Sequence, residues 1–226
     1  MKKSVPYAVL TGDLIKSAKL SSSELQAARK TLSRAVARLR KWKTPAVCGE
    51  LDFFRGDAWQ LLANDAALGL RIALFLRASM IASGTGDTRI AIGIGAIETI
   101  DKRRASLSGG EAFSLSGRAL DDMTVYEHVT VALRKDAEPL ATWVSVAAQL
   151  CGVLVDHWSP RQAEMICDAI TPRRSAATYD AIAKRLDQPV SKQAVTKALS
   201  HAGWRQVRGA IEMFERTKWA AVLDGF

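Results

Sequence analysis

Two aspartates, each directly after a glycine, have the residue type and spacing to hold a divalent cation. Asp13 follows Gly12 at the end of a short apolar run, and Asp57 follows Gly56 in the turn of a hairpin pattern. Carboxylates at the ends of neighbouring strands can converge on one Mg²⁺, which takes oxygen ligands and often shares phosphate oxygens with a substrate. The glycines allow a phosphate to approach the backbone closely. Because Gly-Asp is also common in ordinary turns, a purely structural role for both aspartates stays open.

A second group of polar side chains opens a helix pattern near the C-terminal end. Residues 178–186 and 191–201 form a helix-turn-helix pattern that Pro189 interrupts. Ser191 is a suitable N-cap, so the first turns of the second helix present polar and basic side chains to base edges and phosphates. The candidates for DNA contact are Ser191, Lys192, Gln193, Thr196 and Lys197. The alternative interpretation is a helical bundle that binds only other proteins.

Alternating strand and helix patterns must position the two aspartates. They run in the order β-α-β-β-α-β-α-β, from an apolar strand at residues 5–10 to a last strand at 128–133. This order fits a domain with a mixed sheet and helices packed against it. After residue 135 the patterns are helical, including an amphipathic helix over 138–158. We therefore predict an α+β domain at residues 1–136 and an all-α domain at 137–226.

Three residues within the strand patterns have structural interpretations. Gly93 and Gly95 alternate along one strand, which indicates the close approach of a helix or a bulge. Gln60 follows the second aspartate in its hairpin, and we expect this side chain on an exposed strand face; the alternative is contact with a ligand.

Composition restricts the class of protein further. The chain has 226 residues, 48% of them hydrophobic and 24% charged, which excludes a disordered tail and a disulfide scaffold. Its net charge of +9 favours nucleic acid or phosphate-bearing partners. No signal-peptide pattern and no run of about 18 consecutive apolar residues is present, so we expect a cytoplasmic protein without a membrane partner. The cysteines are expected to be reduced and buried, namely Cys48, Cys151 and Cys167.

The segments around the aspartates resemble the motifs of class III nucleotide cyclases, in the same order along the chain. Residues 12–17 (Gly-Asp-Leu-Ile-Lys-Ser) resemble the first metal motif, and residues 55–58 (Arg-Gly-Asp-Ala) resemble the hairpin with the second metal aspartate. Residues 89–95 resemble the next core strand, and residues 110–120 resemble the helix that carries an Asn and, four residues later, an Arg. A closer resemblance, to the SatD family, is carried by Gly12-Asp13, by residues 56–60 (Gly-Asp-Ala-Trp-Gln) and by the helix-turn-helix pattern. The N-terminal domain of that family is regarded as a cyclase-like palm.

The resemblance implies an α+β fold, a ferredoxin-like palm with a mixed or antiparallel sheet. Such a palm binds Mg²⁺ and a nucleoside triphosphate, commonly within a homodimer. The implied metal ligands are Asp13, Asp57 and the Leu14 carbonyl. The implied nucleotide contacts are Gly12, Gly56, Lys16 and Ser17. The implied reaction is attack of a ribose 3′-hydroxyl on the α-phosphate, with charge on the phosphate stabilised by Arg118 and by Ser114 in place of the usual Asn.

Departures from the cyclase pattern leave three functions open. The positions that select the base hold Phe53 and Leu107, which cannot read a base edge by hydrogen bonding. The first hypothesis is a DNA-binding regulator whose palm senses a nucleotide or a divalent metal. The second is a Mg²⁺-dependent nucleotidyl cyclase or transferase, and the third is a protein-interaction module with a degenerate palm. The base positions and Ser114 weigh against the second, and the intact aspartate pair with Arg118 weighs against the third.

Overall fold

A five-stranded sheet forms the centre of the computed structural model, which describes residues 5–42, 45–172 and 178–224. Its strands are β1 (Tyr7–Leu14), β2 (Val47–Phe54), β3 (Ala58–Ala63), β4 (Thr88–Gly95) and β5 (Val129–Ala132). They lie in the order β2-β3-β1-β4-β5. The first four strands pair antiparallel, and β5 joins β4 in parallel. The sheet is therefore mixed, and the predicted α+β class is confirmed.

Helices complete a ferredoxin-like arrangement and then a helical second half. The helices are α1 (Ser22–Leu39), α2 (Gly69–Ser83), α3 (Glu111–Asp122), α4 (Leu140–Asp156), α5 (Pro160–Ala169), α6 (Tyr179–Arg185), α7 (Lys192–His201), α8 (Trp204–Arg216) and α9 (Trp219–Asp224). The element order β1-α1-β2-β3-α2-β4 with β1 between β3 and β4 is the split βαβ arrangement. It is followed by α3 and β5, as the sequence predicts, and the described residues after β5 form helices but no further strand.

The first strand is longer than its apolar pattern predicts. It continues past Leu10 to Leu14, because Thr11 and Gly12 pair with β3 and all four residues from Thr11 to Leu14 pair with β4. Asp13 therefore lies within the strand, directly opposite Arg89 of β4. Hydrogen bonding to two neighbouring strands extends β1 where the apolar run alone ends.

The two faces of the sheet carry different helices. Leu10 belongs to the large core under α1 and α2, whereas Val9 packs with Phe113 of α3 on the opposite face. Gly93 makes the close approach of α3 possible: a Cβ atom added there would lie 2.2 Å from the carbonyl oxygen of Ala112. The prediction that this glycine marks close helix packing is confirmed.

The helical half shares its core with the sheet half. Helix α5 packs on α2, and α4 packs on β5, α2 and α8. Arg77 of α2 is fully buried and binds Asp87, which precedes β4, and Asp156 of α4. Burial alone lowers the pKa of Arg77, but the two carboxylates more than offset this effect and raise it above its ordinary value. The helix predicted at 138–158 thus contacts both halves, and the division into two domains at residue 136 stays a prediction.

Helix α4 is not amphipathic in the sense that its sequence predicts. Its buried side includes Ala148, Cys151 and Val155, yet Trp143 and Leu150 on the outer side are exposed and apolar. No Asp, Glu, Lys, Arg or His occurs from Leu140 to Val155. The outer side of this helix therefore exposes apolar side chains together with the polar Thr142, but no charged residue between positions 140 and 155.

The most apolar helical segment is a core element. Residues 66–83 have the length and hydropathy of a possible membrane span, and 67% of that window is buried within the protein. They form a short 3-10 helix and α2, which packs against α1, α5 and the sheet.

The cysteines only partly match their prediction. All three are free thiols; Cys151 and Cys167 are buried, whereas Cys48 is half-buried. Burial raises the pKa of Cys151 to about 11, which keeps this thiol protonated.

Candidate functional site

Asp13 and Asp57 come together because their strands are neighbours. Gly12 of β1 pairs with Trp59 of β3, which places the β2–β3 turn beside the end of β1. Both aspartates line a cavity of about 600 Å³ whose wall includes Arg89 and residues of α3. The strand topology thus brings two carboxylates to the same cavity although they are 44 positions apart in the sequence.

A second cavity of about 450 Å³ adjoins the same aspartate pair. Asp13, Asp57 and Arg89 line both cavities, and the second adds Leu14, Lys16, Ser17 and His128. The Ser17 hydroxyl donates a hydrogen bond to the Asp57 carboxylate. Lys16 adopts a left-handed backbone conformation with φ of 58°. The structure therefore gathers five of the predicted site residues, from the end of β1, the segment after it and the β2–β3 turn.

Arg89 is the functional candidate that the sequence analysis missed. Its Nε and Nη2 atoms donate to the two carboxylate oxygens of Asp13 at 2.9 and 2.5 Å. These hydrogen bonds raise the pKa of Arg89, and the charge of Asp57 contributes in the same direction. The available sequence signal is a single arginine at the start of the apolar strand β4. Only the strand register shows that it faces Asp13.

The donor set fits a cation that arrives with phosphate better than a bare ion. Among the residues that the structure describes, no group of three or more His, Cys, Asp or Glu side chains is placed to hold a metal. Asp13 and Asp57 can serve Mg²⁺ when phosphate oxygens supply further ligands. A bare ion must compete with Arg89 for Asp13, whereas a polyphosphate offers the displaced guanidinium a new bidentate partner.

A buried polar chain forms one side of the larger cavity. Gln60 donates from Nε2 to Thr11 Oγ1 at 2.9 Å, and the Thr11 and Ser116 hydroxyl oxygens are 2.7 Å apart. Ser116 belongs to α3, so the chain ties β3 and β1 to the helix that covers them. The expectation that Gln60 is exposed is wrong, because α3 covers this face of the sheet and leaves the residue only 7% exposed.

The strand pleat changes which apolar residue of β2 faces the cavity. Phe53 points to the α1 side, where the Arg29 guanidinium lies 5.1 Å from its ring centroid. The neighbouring Phe54 lines the cavity instead. Leu107 is exposed in a short 3-10 helix. The interpretation of Phe53 as a base-facing residue is therefore wrong, since successive strand residues point to opposite faces.

Four predicted site residues lie apart from the cavity lining. Ser114 and Arg118 are exposed on α3, whose contribution to the described cavity wall is Gly117, Leu120 and Asp121. Gly12 faces the core, where an added Cβ would lie 2.5 Å from the Trp59 ring and from the Arg89 carbonyl oxygen. Gly56 occupies the turn with φ of 85°, and its carbonyl oxygen accepts a hydrogen bond from Arg29.

Helix α7 presents a separate polar surface. Ser191 caps its N-terminus by accepting a hydrogen bond from the Ala194 amide at 3.1 Å. Val195 and Leu199 are buried against the neighbouring helices. All five predicted DNA-contact residues are exposed on one helical segment, namely Ser191, Lys192, Gln193, Thr196 and Lys197. No acidic residue interrupts α7.

Comparisons with known proteins add a distant structural similarity. Neither protein-family models nor curated proteins match this chain. Among solved structures, the chain is similar to the crystal structure of the guanylyl cyclase Cya2, with 18% sequence identity and a TM-score of 0.38. The similarity covers 56% of this chain and 74% of that chain. At this TM-score the fold assignment rests on the strand order and register described above.

Proposed function

We propose that this chain is a DNA-binding regulatory protein of the SatD type whose palm senses a nucleoside triphosphate together with a divalent cation. The exposed, acid-free N-terminal surface of α7 carries the DNA-binding half of the proposal. Lys192 and Lys197 provide charge for phosphates, and Gln193 and Thr196 provide hydrogen-bonding groups for base edges. Burial of Val195 and Leu199 holds this surface outward.

The sensing half is supported by the two cavities at the aspartate pair. Asp13 and Asp57 supply oxygen ligands, and Arg89 supplies a planar guanidinium that suits phosphate oxygens. Lys16 and Ser17 stand beside them in the second cavity. A triphosphate with its cation satisfies both signs of charge in this site, which a bare anion or a bare cation does not.

Sensing is favoured over catalysis by the position of the candidate catalytic side chains. Ser114 and Arg118 lie on the exposed surface of α3, away from the described lining that holds Asp13 and Asp57. A group that stabilises charge in a transition state must reach the reacting phosphate. Within one chain the aspartate pair is therefore assembled for binding, without these two proposed catalytic partners.

DNA binding is tested by replacing both lysines of the α7 surface. In a titration of the full chain against mixed-sequence duplex DNA at several salt concentrations, Lys192→Ala with Lys197→Ala should weaken binding and reduce the salt slope by about two. The matched control is Lys102→Ala with Lys135→Ala, which removes the same charge from two exposed positions outside the α7 surface. Equal binding by the two double variants contradicts the assignment of α7.

Nucleotide binding is tested by calorimetry with ATP and GTP in the presence of Mg²⁺. Asp57→Ala should weaken binding by at least about tenfold, because it removes one of two cation ligands. Asp122→Ala is the matched control, since this exposed carboxylate ends α3 outside the cavity lining. Chromatography of the same mixtures separates sensing from catalysis: a cyclic product that disappears in Asp57→Ala would establish the enzyme hypothesis instead.

A further inference from the structure

Helix α1 carries an exposed row of basic side chains. Lys30, Arg34 and Arg38 are exposed and recur every four residues, and Lys41 is exposed in the turn that ends the helix. This spacing places the first three on one side of the helix, over about 12 Å of its length. No Asp or Glu occurs from position 25 to position 43. We define the α1 stripe as Lys30, Arg34, Arg38 and Lys41.

The cations of the α1 stripe have no counter-charge within the fold. Across residues 5–42, 45–172 and 178–224, no carboxylate forms an ion pair with any of the four. Two other arginines of the same segment have structural partners, because Arg29 and Arg40 donate hydrogen bonds to the carbonyl oxygens of Gly56 and Gly49. The stripe is therefore a set of charges that the folded chain itself does not use for ion pairing.

A cavity joins the α1 stripe to the helix-turn-helix. Arg34 and Arg38 form one wall of this cavity of about 400 Å³, and Leu186 and Asp187 of the turn before α7 form another. Asp187 precedes Ser191, the first residue of the α7 surface, by four positions, which span at most about 14 Å. A rigid partner that contacts the start of α7 can therefore also reach the α1 stripe.

Acidic residues of the cavity wall do not neutralise the stripe. Arg185 pairs with Asp168, and Arg161 pairs with Glu164. Asp187 adds one further negative charge, which the two arginines of the stripe outnumber. With both pairs counted as neutral, the surface between the stripe and α7 keeps a net positive charge.

We propose that the α1 stripe binds the phosphate backbone of the same DNA duplex that α7 contacts, an inference that rests on the DNA-binding half of the proposed function. Duplex DNA carries one negative charge per about 1.7 Å of its axis, so a basic row about 12 Å long faces several phosphates. Contacts from Lys and Arg to phosphate fix the register of a protein on DNA without reading its sequence. The stripe thus adds affinity, whereas α7 supplies the contacts to base edges.

A DNA duplex fits the stripe better than a membrane surface does. Helices that lie on membranes carry large apolar side chains beside their basic ones. In the described part of the chain, none of the exposed large apolar side chains belongs to α1. Exposed neighbours of the stripe are small, as Ser33 and Ala37 are. Proximity to α7 favours the DNA that α7 contacts over a separate polyanion.

The test is a titration of the full chain with mixed-sequence duplex DNA, about three helical turns long, at several salt concentrations. Lys30→Ala with Arg34→Ala, the stripe variant, should weaken binding at least about tenfold and lower the salt slope by about two. Both residues are exposed and alanine favours helix, so the fold should be retained, as circular dichroism checks. The matched control is Lys135→Ala with Lys218→Ala, which removes the same charge from exposed positions outside both surfaces and should bind like the wild type.

Two further variants test where the DNA lies. Asp187→Asn removes a negative charge between the stripe and α7, so it should strengthen binding by about twofold, whereas Asp122→Asn on α3 should not. The stripe variant combined with Lys192→Ala and Lys197→Ala should lower the salt slope by about four, because both surfaces contact one duplex.

Other results would overturn the proposal. A stripe variant that binds DNA as well as its control excludes the stripe from the contact, while a loss of binding in Lys192→Ala with Lys197→Ala would leave the α7 assignment intact. A wild type that binds no duplex overturns both assignments. If the stripe variant keeps duplex binding but loses binding to single-stranded RNA, or to vesicles of phosphatidylcholine and phosphatidylserine, that polyanion is the partner of the stripe instead.

Discussion

The aspartate site and the α7 surface are assembled in different ways. The aspartate site takes residues from the end of β1, the segment after it, the β2–β3 turn and the start of β4. The α7 surface takes all its residues from positions 191–197, on one helix and its cap. The first therefore depends on the registers of three strands and on the position of α3. The second depends on one N-cap and two buried anchors.

This difference shows which substitutions disturb the structure of each site. A change within the sheet can move several elements of the aspartate site at once, because strands and α3 are closely packed. A change at the start of α7 alters one helix and leaves the sheet in place. The comparison predicts large structural effects for small changes in the palm and small structural effects for changes in the α7 surface.

Gly93→Ala should have the largest structural effect. The added methyl group meets the Ala112 carbonyl oxygen at 2.2 Å, so α3 must move away from the sheet. We expect the free energy of unfolding to fall by about 3 kcal/mol, measured by urea denaturation. The control is Gly117→Ala on α3 itself, where an added Cβ has no described neighbour within 4 Å and should raise stability by roughly 0.5–1 kcal/mol. A Gly93→Ala protein as stable as the wild type would contradict this prediction, because it would show that α3 can move from the sheet without a loss of folding free energy.

Arg89→Ala should change the ligand preference of the aspartate site. Without the guanidinium, both Asp13 oxygens are available to a cation. We expect affinity for Mg²⁺ alone to rise by about tenfold and affinity for a triphosphate to fall, as measured by calorimetry. Arg104→Ala, in an exposed loop, removes the same charge without touching Asp13 and should change neither affinity. Unchanged Mg²⁺ affinity in Arg89→Ala would mean that Arg89 does not compete with the cation.

Ser191→Ala should have the smallest effect and should remain local. Loss of the N-cap hydrogen bond to the Ala194 amide lowers stability by about 1 kcal/mol. Hydrogen exchange should show faster exchange of the α7 amides and unchanged protection in β1 and β4. Ser191→Asp retains a capping oxygen and should restore protection. If the Asp variant is as labile as the Ala variant, capping is not the reason for the loss.

Much of the fold follows from local patterns in the sequence. The order of strands and helices, the cap at Ser191 and the close approach at Gly93 all match the structure. Each depends on residues near one another in the chain or on a backbone position that admits no side chain. Periodicity and capping are local properties, so a sequence is enough to predict them.

The composition of the aspartate site depends on contacts between distant segments. Arg89 pairs with Asp13 through a strand register, and Gln60 is buried because α3 covers its face of the sheet. The pleat places Phe54, rather than Phe53, at the cavity.

The sequence by itself determined the element order, the two aspartates and the exposed start of α7. Only the tertiary structure decided that Arg89 pairs with Asp13 and that the outer side of α4 exposes apolar side chains. The physical reason is that local propensity sets each element, whereas register and the packing of distant elements decide which side chains meet.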